Sequence, residues 1–545
     1  MAIINRRNVK QLLFLLAIFS TFSFFYFPMV NNWFFIDDLQ WIWSSSNARW
    51  KEIFFAPEVM RGMAPFFTPM LAVSFKIDWS LFGIDSMGYA VHSLTSLVAA
   101  AVALYLFIRL YATRDIALTG VFFFLLNPST IAVTSWFSAR HYLEGLFFSL
   151  LSLYFFVKAD RKGKISFASG ILYLLASLEK ELYVVLPAVA VLVSEKNLSR
   201  RLKNTVPLGL GLIIYALWRY AVIRGMGGYT MMQSINLKPA FLHQIIKLYS
   251  VSWFGDYYVL GYLFLLIAFL LSLREIRMFL IFLVLLVPIL PLGVKLGGGG
   301  YYANRYFFHI SIFMICGMCL VMQSRSFGNK FIYKSAAIIV FFLIAASFIK
   351  QDIQISSILR QERAKAKEEA MALIHSDRAY VKSDLFLTGF YNAFRNIYHT
   401  YFGIDIKARP VPPEGSLRYC SVERLQEITA AGIKIPYDEI LAEQKKLYTG
   451  PISIRLTLRN YRLAWDLGPE KRGTYGFLAG PVSGLYYGIA TFPPVGSLMI
   501  GKNPRNEVVT TYFRILHETR DKRKVISPEF VIRLPGSQTI EYDSE

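Results

Sequence analysis

Long apolar runs separated by short polar connectors dominate the first 350 residues of this chain. A helix needs about 20 apolar residues to cross the hydrocarbon core of a bilayer, somewhat fewer where aromatic or long basic side chains flank it. The first run, Gln11–Val30, follows Arg6, Arg7 and Lys10 and ends in Phe27, Pro28 and Met29. That is too long for a signal peptide and lacks a small-residue cleavage site, so it reads as a retained span that starts in the cytoplasm. Further runs fall near Tyr89–Ile108, Ile116–Ser135, Tyr142–Val157, Ile165–Leu178 and Leu182–Ser194. They continue near Thr205–Ile223, Tyr257–Leu273, Met278–Val294, Tyr306–Met322 and Ser335–Ile349. The pattern predicts a polytopic α-helical membrane protein with about eleven transmembrane helices.

If these spans alternate across the bilayer, the cytoplasmic connectors should be basic. They hold Arg109 and Arg114; Lys158, Arg161, Lys162 and Lys164; and Lys196, Arg200, Arg201 and Lys203. Arg274 and Arg277, then Arg325, Lys330 and Lys334, follow the same rule. With the N-terminus in the cytoplasm, an odd number of spans puts everything after Lys350 on the other side. Two outer connectors, Asn31–Gly88 and Arg224–Asp256, are long, and long connectors are usually functional. The chemistry is therefore expected on the outer face.

From Gln351 onward the composition changes. Gln351–His375 reads as a charged helix. Ala379–Tyr391 and the stretches from Ile452 alternate apolar with polar residues, with turns at Gly450-Pro451, Gly480-Pro481 and Pro493-Pro494. Residues 1–350 are thus expected to form the transmembrane domain and 351–545 an exported soluble domain, mixed α/β and β-rich at its end. No internal repeat or low-complexity segment is visible.

Composition agrees with the membrane reading: 55% of residues are hydrophobic, 16% aromatic, and mean hydropathy is +0.43. A soluble protein of this length could not hide that much apolar surface. The net charge of +22 would suit nucleic acid. Its basic residues cluster between apolar runs, however, so membrane lipids are the expected partner and nucleic acid is not. Cys316 and Cys319 are spaced C-x-x-C inside an apolar run with no second pair, so no structural zinc site is expected. Cys420 has no partner in the tail. His92, His243 and His309 read as satisfied buried histidines.

Candidate chemistry gathers at the outer ends of the spans. Phe34-Phe35-Ile36-Asp37-Asp38 directly follows the first span. Two carboxylates beneath an aromatic cluster at a membrane surface are costly unless used or paired. Desolvation would make one of them a usable general base. Sequence neighbours diverge by about 100° on a helix, so the second would orient a partner or hold a cation. Equally, the pair could cap the helix that starts at Leu39-Gln40-Trp41. Arg140-His141 lies beyond the third span with Glu144 four residues on, and Glu179-Lys180-Glu181 interrupts two short apolar runs. Tyr301-Tyr302-Ala303-Asn304-Arg305-Tyr306 follows the run Gly297–Gly300, a mobile loop or a plain hinge. A phosphate leaving group needs cations, and Arg140, Lys180 and Arg305 are the candidates, with interfacial snorkelling as the bland alternative for each.

These residues resemble the GT-C superfamily of membrane glycosyltransferases, which use dolichyl- or undecaprenyl-phosphate sugars. That superfamily includes protein O-mannosyltransferases, the lipid A aminoarabinose transferase and tetratricopeptide-bearing O-mannosyltransferases. The similar features are the acidic pair in Ile36-Asp37-Asp38-Leu39, Ser135-Trp136-Phe137-Ser138-Ala139-Arg140, Lys180-Glu181 and Asn304-Arg305-Tyr306. The last three look most like the tetratricopeptide-bearing branch, with Ala139 where that branch tends to have Gly. The resemblance spans roughly Met1–Ile349, and the tail departs from it, having no 34-residue helical repeat.

The resemblance implies a polyprenyl-phosphate sugar donor, a glycan, lipid or protein acceptor, and inversion at the anomeric carbon. It makes Asp37 the base, with Asp38 beside it. Arg140, Lys180 and Arg305 would bind the donor phosphate, supported by His141, Glu144, Glu181, Tyr301 and Tyr302. No metal ligand set is expected, although the acidic pair could take a divalent cation. The expected location is the bacterial inner membrane, because none of Asn392, Asn396, Asn460, Asn503 and Asn506 begins an N-x-Ser/Thr site. The competing readings are a lipid-linked glycan flippase or transporter, a polysaccharide ligase or polymerase, and an inactive membrane scaffold. Internal repeats and midplane ions would mark a transporter.

Overall fold

The computed structural model describes residues 6–35, 37–56, 67–223, 239–263, 265, 276–288, 300–323, 331–382, 388–412, 414–447, 452–459, 462–468, 474–480, 482–492, 494–499, 509–519, 523–534 and 536–543. The chain divides into two compact units. One comprises Met1–Trp33, Phe67–Ala221 and Ile235–Arg363; the other comprises Phe34–Phe66, Val222–Ser234 and Ala364–Glu545.

The first unit is helical. Among the described residues, Gln11–Asn31, Ser86–Ile108, Phe137–Arg161, Leu198–Val222 and Ile339–His375 are long and apolar enough to cross a membrane. Arg114–Leu126 and Pro128–Ser135 make a sixth candidate if counted as one span bent by 58°. Proline lacks the amide hydrogen the helix would need there, and the Asn127 side chain caps the second piece by accepting from the Ser129 N–H at 3.0 Å. The chain is a multi-pass membrane protein.

Three expected spans are shorter apolar helices: Phe167–Glu179, Glu181–Val193 and Asn304–Leu320. At 1.5 Å per residue the 13 residues of Phe167–Glu179 reach about 20 Å, two-thirds of a hydrocarbon core. The expected spans Tyr257–Leu273 and Met278–Val294 lie partly outside the described residues, and within the second of them Ile276–Leu286 is helical.

Close approach and buried polar ties join these helices. A Cβ at Gly145 would meet the Tyr183 ring at 2.3 Å. With glycine there, the Tyr183 hydroxyl donates to the Tyr142 carbonyl at 2.6 Å. Towards the other end of the same helix, buried Asp160 accepts from Ser194 at 2.8 Å and from Asn204 at 2.6 Å.

In the second unit the helix Asp38–Asn47 packs against the helix Thr388–Phe402. The first buries Leu39 and Ile42, the second Tyr391, Phe394 and Ile397, each set on one helical face. The charged stretch 351–375 is the end of one continuous 45-residue helix, Phe331–His375, which contains no glycine or proline. Within the alternating stretch Ala379–Tyr391, Tyr380–Val381 is extended and pairs in parallel with Arg409–Pro410, and a helix begins at Thr388. The intervening 383–387 lie outside the described residues.

Two antiparallel sheets form the C-terminal, β-rich part. One orders its strands Gln538–Asp543, Ser453–Arg459, Arg462–Gly468, Val495–Met499. The other runs Phe530–Leu534, Val509–Glu518, Thr474–Gly480, Gly488–Phe492, with Lys524–Ile526 added to Val509–Glu518. Alternation sets the inner face: Ile454, Leu456 and Leu458 stand opposite Leu467, Trp465 and Leu463. Tyr475, Phe513, Ile515, Ile532 and Leu534 of the other sheet join the same core.

A carboxylate pins the turn beside this core. Glu529 accepts from the Ser483 hydroxyl at 2.6 Å, from the Gly484 N–H at 2.8 Å and from the Tyr486 hydroxyl. Burial alone would raise its pKa, but these donors and the Arg514 charge hold it below the usual glutamate value. A depressed folded-state pKa contributes stability above the unfolded pKa that is lost as pH falls through the folded one. Stability of this unit is therefore expected to drop below about pH 4.5, and Glu529→Gln to flatten that acid limb. Denaturant titrations at several pH values, read by tryptophan fluorescence, check this; an unchanged acid limb in the variant would contradict it.

Candidate active site

Asp37 and Asp38 occupy different positions in one turn of the second unit. Asp38 is fully buried at the start of the helix Asp38–Asn47, and its carboxylate accepts from the Phe35 N–H at 2.8 Å. It folds the aromatic segment back onto the helix start. Asp37 is at the N-cap position and half-buried; its carbonyl accepts from the Trp41 N–H at 3.0 Å while its side chain makes no cap hydrogen bond. The Asp38 carboxylate holds the turn through the Phe35 N–H.

The cations expected to bind phosphate lie in the first unit, in two clusters. Arg140 follows the 3-10 turn Phe137–Ala139 and begins the helix His141–Arg161. It is fully buried, forms an ion pair with Asp78, and lies 4.6 Å over the Phe75 ring. Its Nε stands 3.7 Å from Glu144, so the pairing expected four residues along the helix is the looser of the two. His92 bridges the acids, with Nδ1 2.6 Å from Asp78 and Nε2 3.3 Å from Glu144. Glu144 also accepts from Ser74 at 3.1 Å and Ser96 at 3.2 Å. The network joins the helices Pro69–Phe82, Ser86–Ile108 and His141–Arg161. Arg140 is thus held against Asp78 inside the helix bundle.

Lys180 and Arg305 belong to the second cluster. Lys180 sits in extended backbone between the helix Phe167–Glu179 and the 3-10 turn Glu181–Val185, its ammonium 5.4 Å over the Tyr142 ring. Arg305 lies in the 3-10 segment Gly300–Phe307, 4.5 Å over Trp136, and donates to the Tyr306 hydroxyl at 2.8 Å. Lys180 is within electrostatic reach of Arg305, Tyr306 and Arg219, and His141 is within reach of Lys180, Arg305 and Arg140. Glu181 lies 2.7 Å from Arg219 and 4.0 Å from Lys180. Arg219 and Lys180 thus share the Glu181 carboxylate, with Arg305 within electrostatic reach of Lys180, beside several aromatic rings. Such a site favours an anion. The backbones of Tyr301 and Tyr302 are in the 3-10 segment; their side chains lie outside the described residues.

Asp78 and Arg219 escaped the sequence reading. Asp78 sits in the stretch Met70–Phe82, which reads as an amphipathic outer connector; the signal was the four-residue spacing from Ser74, which puts both on one face. Arg219 lies inside the apolar run Thr205–Ile223, and an ionisable residue within a span is itself a signal of function. Among the described residues no group of three or more His, Cys, Asp or Glu side chains is placed to hold a metal ion. Cys316, Cys319 and Cys420 are buried free thiols.

No family model matches the chain, and no curated protein matches it in sequence. Among solved structures, a crystal structure of ArnT from Cupriavidus metallidurans bound to undecaprenyl phosphate aligns with 70% of this chain and 84% of that one, at 13% identity and a TM-score of 0.44. Agreement at that level does not establish a shared fold.

Proposed function

We propose that this protein is an inverting glycosyltransferase that moves a sugar from a polyprenyl-phosphate donor to an acceptor on the periplasmic face of a bacterial inner membrane. The observation that carries the reading is the gathering of Lys180, Arg305 and Arg219 near the Glu181 carboxylate, beside the rings of Tyr142, Trp136 and Tyr306. A lipid phosphate is the kind of anion such a group of cations binds, and aromatic walls suit both a sugar and a prenyl chain. The resemblance of the acidic pair, the Ser135–Arg140 segment, Lys180-Glu181 and Asn304–Tyr306 to GT-C enzymes supports the same chemistry, as does the basic character of the connectors assigned to the cytoplasm.

In this reading Lys180 and Arg305 bind the donor phosphate. The Asp37 carboxylate takes the proton of the acceptor hydroxyl while that oxygen attacks the anomeric carbon opposite the phosphate. The anomeric C–O bond breaks, the configuration inverts, and charge collects on the departing polyprenyl phosphate, where Lys180 and Arg305 stabilise it most in a partly dry site. Arg140 acts one step back: its ion pair with Asp78 fixes the start of the helix that carries His141 and Tyr142. Eleven spans, a cytoplasmic N-terminus and a periplasmic tail that positions the acceptor complete the proposal.

Purified protein in nanodiscs, supplied with a polyprenyl-phosphate sugar, tests it. Lys180→Ala and Arg305→Ala are each expected to lower kcat by about a hundredfold to a thousandfold, the range for removing a donor that faces developing charge. Movement of intact lipid across the bilayer without cleavage of the sugar–phosphate bond would instead make the protein a flippase.

A further inference from the structure

We infer that Glu179 is a neutral positioning residue: its carboxyl O–H donates to the Glu144 carboxylate, and that bond fixes the chain at Lys180. The inference rests on the reading of Lys180 as a donor-phosphate ligand. Glu179 is the last residue of the helix Phe167–Glu179, and Lys180 follows it in extended backbone. The Glu179 side chain is fully buried, and one of its carboxyl oxygens has no hydrogen-bond partner among the described residues. Nor does it form an ion pair with any of them. An ionised carboxylate in that position is very costly, and a neutral acid far less so.

The partner lies on the helix His141–Arg161. Gly145 allows a close approach there, since a Cβ on it would stand 3.2 Å from the Glu179 Cβ. The Glu144 and Glu179 carboxyl groups are within hydrogen-bonding reach of each other. Two carboxyl groups that close cannot both stay ionised, so one carries a proton. Their surroundings decide which. Ser74, Ser96, His92 and Arg140 all contact Oε1 of Glu144, and His92 and Arg140 also hold Asp78. That set of donors and cations suits a carboxylate. Glu179 faces Glu144, Arg140 and Tyr183, none of them its ion-pair partner. The proton therefore stays on Glu179.

Lys180 is held between two ties to one helix. Before it, Glu179 meets Glu144; after it, the Tyr183 hydroxyl donates to the Tyr142 carbonyl at 2.6 Å. The Lys180 ammonium rests 5.4 Å over the Tyr142 ring of the same helix. Loss of the Glu179 proton would replace one tie with repulsion between two carboxylates and move Lys180 from its place.

Infrared spectroscopy of the full-length protein in nanodiscs and binding of radiolabelled polyprenyl phosphate, each followed against pH, test this. The wild-type protein should show the C=O stretch of a protonated carboxylic acid at neutral pH, and Glu179→Gln should remove it. Wild-type donor binding should weaken by about tenfold as rising pH strips the proton and the two charges repel. Glu179→Gln, whose amide donates at every pH, should flatten that alkaline limb, whereas Glu179→Ala, which cannot donate, should bind weakly at neutral pH too. Thermal unfolding checks each variant, and Glu144→Gln, which should also flatten the limb, serves if Glu179→Gln does not fold. A carboxylic acid band absent from the wild type, or unchanged in Glu179→Gln, would overturn the protonation. An alkaline limb unchanged in Glu179→Gln would overturn the positioning role. Wild-type binding in Lys180→Ala would instead remove the donor reading, and the positioning role with it, while the band remained.

Discussion

Asp37→Asn is expected to abolish sugar transfer while the protein still folds, inserts and binds its donor. Loss of a general base typically costs about 100- to 10,000-fold in rate. The Asp37 carboxylate makes no cap hydrogen bond in the turn, so asparagine, of nearly the same shape, should leave the helix Asp38–Asn47 in place. Its neighbour provides the control. Asp38 is buried and accepts from the Phe35 N–H, so Asp38→Ala should destabilise the fold by about 1–3 kcal/mol, through the buried amide it leaves unpaired. Turnover and donor affinity measured on both variants, with thermal unfolding, separate the roles. Wild-type turnover in Asp37→Asn would remove the base assignment.

The largest expected effect on stability lies at Asp78. Arg140 is fully buried and Asp78 is its ion-pair partner, so Asp78→Ala leaves a guanidinium inside the helix bundle without its main counter-charge. Breaking a buried pair from one side costs about 3–5 kcal/mol. Replacing both partners by apolar residues of similar volume is often neutral. Asp78→Leu/Arg140→Met should therefore recover most of the stability that Asp78→Ala loses, and thermal unfolding in detergent would show it. If the double variant is as unstable as the single, the pair holds the bundle through something other than its charge balance. The same double variant informs on function: transfer that survives it would confirm that Arg140 does not touch the donor.

How much of this was legible in the sequence follows from how local each signal is. Apolar runs are local, so the helices Gln11–Asn31 and Ser86–Ile108 could be read almost to their ends, while Leu198–Val222 begins about two turns before the expected Thr205, in its basic connector. The inner-face alternation of Ile454, Leu456 and Leu458 is local too, and the β-rich tail was visible in it. The bend at Asn127-Pro128 was not anticipated, because a single apolar run covers both pieces. Within Ala379–Tyr391 the alternation gave no sign of the helix that begins at Thr388.

At the site, sequence could nominate Lys180, Arg305 and Glu181 individually, since each interrupts or ends an apolar run. It could not say which charge pairs with which. Asp78 captures Arg140 from 62 positions away, and Arg219 captures Glu181 from 38, and only folding sets such distances.

A structure determined with polyprenyl phosphate bound is the most direct test of the central claim. The phosphate is expected to lie within about 3 Å of both Lys180 and Arg305, with the prenyl chain leaving past the aromatic rings. A phosphate bound away from those two cations would contradict it.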